Sequence, residues 1–144
     1  MKRRRLFEII GATLIMSLTA LAGISCTQTS AEKLEGATWV LKAYGEPNSL
    51  IDALPDSVVT LNFNKDDKRV WGTGGVNTYG GNYQVDGNRL TVSELVSTEI
   101  AGWPPLQNQE NTFFNILISA QSFDIDDNKL TITGTAGILV FDKK

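Results

Sequence analysis

The residues of this chain that could do chemistry fall into four groups. The first is the stretch from Gly72 to Gly81, GTGGVNTYGG, with five glycines in ten residues. A glycine-rich loop cradles phosphate when a strand precedes it and a helix N-terminus follows, and a P-loop adds Lys with Ser or Thr. Here a strand pattern follows, no Lys lies in the stretch, and the spacing of Gly72, Gly74, Gly75, Gly80 and Gly81 fits neither nucleotide fingerprint. Such glycines serve bulges, tight turns and close backbone approach in a curved sheet. The second group is the carboxylates Glu94, Glu99 and Glu110, which would suit glycoside hydrolysis only if two of them came within about 5–10 Å, and no spacing in the sequence requires that. The third, Asp124-x-Asp126-x-Asn128, imitates the start of a calcium loop. Its sixth position is Lys129, where Gly is needed, and no Glu closes a twelve-residue loop, so it reads as a solvated hairpin turn. The fourth is the aromatics Trp39, Trp71, Tyr79, Tyr83 and Trp103, which either line a ligand or peptide groove or fill the core.

The chain contains no histidine, which removes the commonest general base and metal ligand together. Its single cysteine permits neither an internal disulfide nor a thiolate metal cluster. No cofactor and no metal is implied.

The elements that must position these groups are mostly strands. The chain has 144 residues, 42% apolar and 20% charged, the balance of one globular domain. Thr38 to Ala43 alternates, and Gly45 to Pro55, with two prolines, an Asn and a Ser, reads as a loop. Ser57 to Phe63 places Val59, Leu61 and Phe63 on one face, Asn64 to Lys68 turns the chain, and Arg69 to Thr73 runs into the glycines. Asp86-Gly87-Asn88 joins Asn82–Val85 to Arg89–Val92 as a hairpin, and Asp126-Asp127-Asn128 joins Ser122–Ile125 to Leu130–Thr133 in the same way. Gly137 to Phe141 is a last strand. Between them, Leu106, Glu110, Phe113, Leu117 and Ala120 recur at helical spacing after Pro105, and the length from Pro105 to Ser119 favours helix although FFNILI alone would suit a strand.

The N-terminus is organised differently. Lys2 to Arg5 are basic, Ile9 to Leu21 are apolar, and small residues lead to Cys26. The apolar run to Ile24 is short for a spanning helix of about 20 residues. Leu21-Ala22-Gly23-Ile24-Ser25-Cys26 resembles a bacterial lipobox, with Ser25 as the small residue before the cut and Gly23 where Leu is commonest. It implies a lipoprotein signal at residues 1–25, lipid attachment at Cys26 and a short polar tether over residues 26–34. An ordinary signal cut after Ala31 and an uncleaved anchor are the other readings of the same zones. Removal of Lys2, Arg3, Arg4, Arg5 and Glu8 leaves 9 basic and 15 acidic residues, a net charge of −6. That surface has no footprint for nucleic acid and no polybasic patch for anionic lipid, so the membrane is reached through the acyl chains.

The order of residues around the glycines resembles the signature of the META domain family, whose best-known members are heat-shock-associated, HslJ-like envelope proteins. Gly75, Asn77, Tyr79, Gly81 and Tyr83 match its central motif, Trp39 and Leu41 its opening W-x-L, and Val59 to Phe63 a strand ending in Phe. Thr98-Glu99-Ile100-Ala101 is similar to its Thr-x-Met-Ala, Glu110, Phe113 and Leu117 match its helix, and Leu130-x-Ile with Gly137 to Phe141 match its closing strands. The resemblance spans residues 35–143. The family commonly has Cys where this chain has Val76 and where it has Gly102, and joint loss is what disulfide partners would show.

The expected protein is exported, lipid-anchored and α+β, with a strongly curved antiparallel sheet or partly closed barrel and one packed helix. The resemblance implies a non-enzymatic envelope-stress or protein-interaction module with an envelope protein partner. The alternatives are a small-ligand-binding domain using an aromatic groove that includes Trp71 and Trp103, on the face near Tyr79, and, more remotely, a carboxylate-based hydrolase.

Overall fold

Residues 29–144 are described by a computed structural model; Cys26 and the zones that lead to it lie outside the described residues. In chain order the elements are α1 (Ser30–Glu35), β1 (Thr38–Glu46), β2 (Ser49–Asp52), β3 (Thr60–Asn64), β4 (Arg69–Thr73), β5 (Thr78–Asp86), β6 (Arg89–Ser97), α2 (Pro104–Ile118), β7 (Ala120–Asp126), β8 (Lys129–Gly134) and β9 (Gly137–Lys143). Period-two alternation sets which side of each strand faces in. β1 buries Trp39, Leu41 and, past a bulge between Leu41 and Ala43, Tyr44; β3 buries Leu61 and Phe63, and β8 and β9 bury Leu130, Ile132, Leu139 and Phe141.

Every strand pairing is antiparallel, and β1 and β3 to β9 follow one another in space. β1 also pairs with β9, from Trp39↔Lys143 to Gly45↔Ile138, so eight strands close into a barrel with the apolar rows inside. The sheet therefore goes beyond partial closure, which removes the exposed edges that an open sheet would carry. The seam between β6 and β7 is the weakest, with one paired position, Arg89↔Ser122. The two hairpins expected from their Asp, Asn and Gly residues form, with Asp86↔Arg89 and Asp126↔Lys129 as the last pairs before the turns. Gly87 at φ +61° supplies the left-handed residue of the first.

α2 opens on the Pro104-Pro105 pair, both within its first turn, where the missing N–H groups are not needed. It turns Gln109, Glu110, Phe113, Ile116 and Leu117 inward. The Phe113 ring stands edge-on to Tyr79 at 5.5 Å and to Phe141 at 6.4 Å between centroids, joining the helix to both halves of the barrel.

Two expectations are corrected. The segment read as tether is helical from Ser30. Thr29 and Glu32 form a capping box, Leu34 is fully buried, and the Trp39 indole donates to the Leu34 carbonyl at 3.0 Å. One buried leucine and a cap thus turn a polar stretch into α1, a second helix beside α2. The segment read as a loop from Gly45 to Pro55 contains β2, which pairs with the C-terminal half of β1 from Ala43↔Asp52 to Glu46↔Ser49. All four of its residues are exposed, so it is held by the backbone ladder and not by burial. Among the described residues no helix is long and apolar enough to cross a membrane.

Candidate functional site

The glycine stretch breaks between β4 and β5, where the chain must reverse over α2. Gly75 takes φ +110°, a conformation that disfavours any side chain, and the Gly74 N–H donates to the Asn77 carbonyl at 2.7 Å. The turn leaves the N–H groups of Val76 and Asn77 pointing inward, and Glu110 Oε2 accepts both, at 3.0 and 2.6 Å. Glu110 Oε1 accepts from Asn77 Nδ2 at 2.6 Å and from Gln107 Nε2 at 3.2 Å. The Asn77 amide also donates to the Ile100 carbonyl at 3.1 Å, while its Oδ1 accepts from Thr98 Oγ1 at 2.7 Å and the Ile100 N–H at 2.8 Å. Both donors and both lone pairs of the amide are thereby spent. Asn77 is 3% exposed and Glu110 1% exposed, so these bonds are made away from water, where an unmade one is costly.

The other motif residues also serve the barrel. Gly81 faces a bulge in β6, where Glu94 and Leu95 stand against one residue, and a Cβ on Gly81 would come within 2.9 Å of the Ser93 carbonyl. Tyr79 is buried and its hydroxyl donates to the Thr60 carbonyl at 2.8 Å; burial holds its phenol well above the ordinary value. Tyr83 packs edge-on against Phe63 at 4.9 Å, and its hydroxyl donates to Glu35 Oε1 at 2.5 Å. Lys68 Nζ donates to the same oxygen at 2.9 Å and lies 5.4 Å from the Tyr83 ring centroid. Burial, then the Glu35 bond and charge, push the Tyr83 phenol up. Burial also pushes the Glu35 carboxyl up, but the hydrogen bonds from Lys68 and Tyr83 and the charges of Lys68 and Lys65 together outweigh it, leaving it below its ordinary value. This cluster pins α1 to the barrel. No pattern in the sequence marked Glu35 or Lys68, because each is an ordinary surface residue until the fold joins them.

A family model for the META domain matches residues 32–144. The chain belongs to the META domain family. Its fold is similar to that of a protein from Burkholderia xenovorans solved by NMR, with a TM-score of 0.65 and 21% identity over 78% of this chain and 85% of that one. A second NMR structure gives a TM-score of 0.61 and 21% identity over 80% of this chain and 95% of that one. A crystal structure of a DUF4847 family protein from Bacteroides vulgatus gives 0.58 and 19% over 78% and 96%. No curated protein matches the chain.

Within this META domain Val76 and Gly102, the two positions that the resemblance pairs, come together. An ideal Cβ built on Gly102 would stand 3.3 Å from Val76 Cβ, with the valine methyls filling the space between. The aromatic set is divided between core and surface. Trp39, Tyr79 and Tyr83 are core residues, although Tyr79 also borders an open cleft of about 370 Å³ with Arg69, Gly80 and Val96. Trp71 and Trp103 are 53% and 66% exposed but do not border a common cleft. Trp71 borders an open cleft of about 810 Å³ between α1 and the β3–β4 hairpin, whereas Trp103 precedes α2. Asn62 on β3 is only 8% exposed and borders the same cleft; no pattern in the sequence marks it.

Of the carboxylates, Glu94 accepts from the Asn82 amide at the bulge, and Glu99 borders a small open cleft of about 340 Å³ with Glu110. Asp126 lies at the end of β7, with Asp127 in the left-handed region at φ 51° in the turn that follows. Among the described residues no group of three or more His, Cys, Asp or Glu side chains is placed to hold a metal ion.

Proposed function

We propose that this chain is a lipid-anchored, extracytoplasmic META-domain protein that acts as a non-enzymatic envelope-stress or protein-interaction module. The observation that carries the reading is the use to which Glu110 is put. It is the one fully buried carboxylate among the described residues, and its two oxygens receive four donors from the β4–β5 crossing and from α2. A carboxylate so engaged positions backbone, whereas general acid–base work needs reach to a substrate proton. The family motif is thus spent on the fold, and function passes to the surface. There Ile100, 61% exposed, and Trp103, 66% exposed, present apolar side chains on the β6–α2 connection, a suitable contact for an envelope protein partner. The basic, apolar and small-residue zones ending at Cys26 support export and acylation.

The test is made in living cells. Wild-type protein is expected to take up a fatty-acid analogue and fractionate with membranes, and Cys26→Ser to lose the label. A photo-crosslinking residue at position 103 is expected to give a discrete protein adduct that the same residue at position 84, on an exposed polar site, does not. Equal label on wild type and Cys26→Ser would overturn the anchor, and matching adduct patterns at positions 103 and 84 would overturn the interaction surface.

A further inference from the structure

The outer face of β3, β4 and β5 carries one large apolar side chain in a polar setting. Trp71 is 53% exposed, and its cross-strand neighbours are Asn62 on β3 and Gly80 on β5. Because Gly80 has no side chain, β5 lays nothing over the indole. Arg69 and Thr73, two residues away along β4, share its face. Asn62 donates from Nδ2 to the Trp71 carbonyl at 3.2 Å and accepts at Oδ1 from Thr38 Oγ1 at 2.7 Å. A primary amide has two donors and two acceptor lone pairs, so among the described residues these bonds use half of its capacity. The cleft that Trp71 and Asn62 border also takes in Thr38, Asn64, Lys65 and Glu32, and its volume of about 810 Å³ falls within the range of small-molecule sites.

This lining selects among ligand chemistries. An extended apolar patch would suit a protein partner, whereas around Trp71 the apolar surface is limited to Val96 across Gly80 and to Ala37 and Phe63 in the cleft, among amides, hydroxyls and a guanidinium. The cleft is lined by Glu32 and Glu35 against Lys65 alone, a net charge of 1 − 2 = −1, so it offers a phosphate-bearing ligand no cationic cradle. A ligand with a flat apolar face and a rim of uncharged hydroxyls fits both halves of the lining. We propose that the Trp71 cleft is a carbohydrate-binding site, in which the indole carries the C–H face of a pyranose ring and Asn62, Asn64 and Thr38 hydrogen-bond its hydroxyls. The aromatic supplies contact area at little conformational cost, and the half-committed amide of Asn62 is held in place for the ligand by its two existing bonds. This goes beyond the protein-interaction reading and uses a different surface, Trp71 and not Trp103.

The full chain, purified in a detergent without a sugar headgroup, is titrated with chitohexaose and sedimented with protein-free peptidoglycan sacculi. Chitohexaose is expected to shift the NMR signals of the Trp71 indole N–H and the Asn62 side-chain amide. Trp71→Ala is expected to weaken binding about tenfold or more, Trp71→Tyr to retain most of it, and Trp103→Ala to leave it unchanged. Trp71 lies on the outer face, so the folding of each variant is checked by its melting temperature. Loss in Trp71→Ala for chitohexaose alone assigns a soluble oligosaccharide, and loss for sacculi as well assigns the wall polymer. Absence of binding to both probes, or binding by Trp71→Ala equal to wild type, would overturn the proposal.

Discussion

A disulfide placed between positions 76 and 102 tests the packing of the β4–β5 crossing against the β6–α2 connection. Val76→Cys with Gly102→Cys, in a chain also carrying Cys26→Ser, is expected to oxidise spontaneously once folded. An ideal Cβ at Gly102 lies 3.3 Å from Val76 Cβ, and bridged cysteines have Cβ atoms about 3.5–4.5 Å apart, so a few tenths of an ångström of opening suffice. Gly102 is not among the residues of positive φ, so a side chain there meets no backbone penalty. The bridge would enclose the 25 residues between the two positions, for which loop closure predicts a gain of about 3.5 kcal/mol. Replacing the valine methyls costs about 1 kcal/mol, which leaves roughly 2–3 kcal/mol, or roughly 6–15 °C in melting temperature for a domain of this size. The single variants sharpen the test. Gly102→Cys alone drives its Cβ into the methyls of Val76, an overpacking cost of about 1–3 kcal/mol, and Val76→Cys removes those methyls, so the pair must be strongly non-additive. Intact mass and melting with and without reductant decide the matter. Two free thiols in oxidised, folded protein, or an oxidised form that melts below the reduced one, would mean that the two segments do not pack as described.

Asn77→Ala is expected to cost about 3 kcal/mol in urea unfolding, since it strips hydrogen bonds from Glu110, Thr98 and both backbone groups of Ile100 at a buried site; a loss below about 1 kcal/mol would refute the network. Glu35 gives a pH signature whose sign follows from its depressed carboxyl. Its contribution is fully present above the ordinary value of 4.5 and is lost as pH falls through the lower folded value, so Glu35→Gln should melt below wild type near neutrality and the gap should close in acid. A gap that is constant across that range would mean that the Lys68 and Tyr83 bonds do not favour the ionised form.

How much of this fold was legible depends on how local its causes are. β4 was readable from Arg69 to Thr73 without error, and both Asp-containing hairpins were readable from their turns, because period two and left-handed turn residues act within a few positions. α2 was readable because Glu110, Phe113 and Leu117 must share a face with the core. A curved sheet or partly closed barrel was expected, but full closure was not legible, since the β1–β9 ladder joins residues about a hundred positions apart and nothing in either strand names its partner. β2 was hidden for a related reason. Its residues are all exposed, and it becomes a strand only because β3 pairs with Thr38 to Val40 and leaves the rest of that edge of β1 open.

The candidate sites divide along the same line. Gly75, Asn77, Gly81 and the two tyrosines stood out through the family resemblance, and each solves a backbone or burial problem that few other residues can: positive φ, four simultaneous amide bonds, close approach to a bulge, a long reach with a hydroxyl at its end. Problems of that kind leave a strong mark on sequence, and they are problems of folding. Glu110, weighed at first as one of three carboxylates, is tied to the same turn across 33 positions, and its partners convert a candidate acid into the cap of a β-crossing. A surface that recognises something outside the molecule leaves a weaker mark, because Trp71 beside a glycine and a half-spent amide satisfies no internal demand. The residues that make this chain readable as a META domain are therefore not the ones in which its ligands should be sought, and substitutions at Trp71 and Trp103, which scarcely touch the core, are where binding and folding can be separated by experiment.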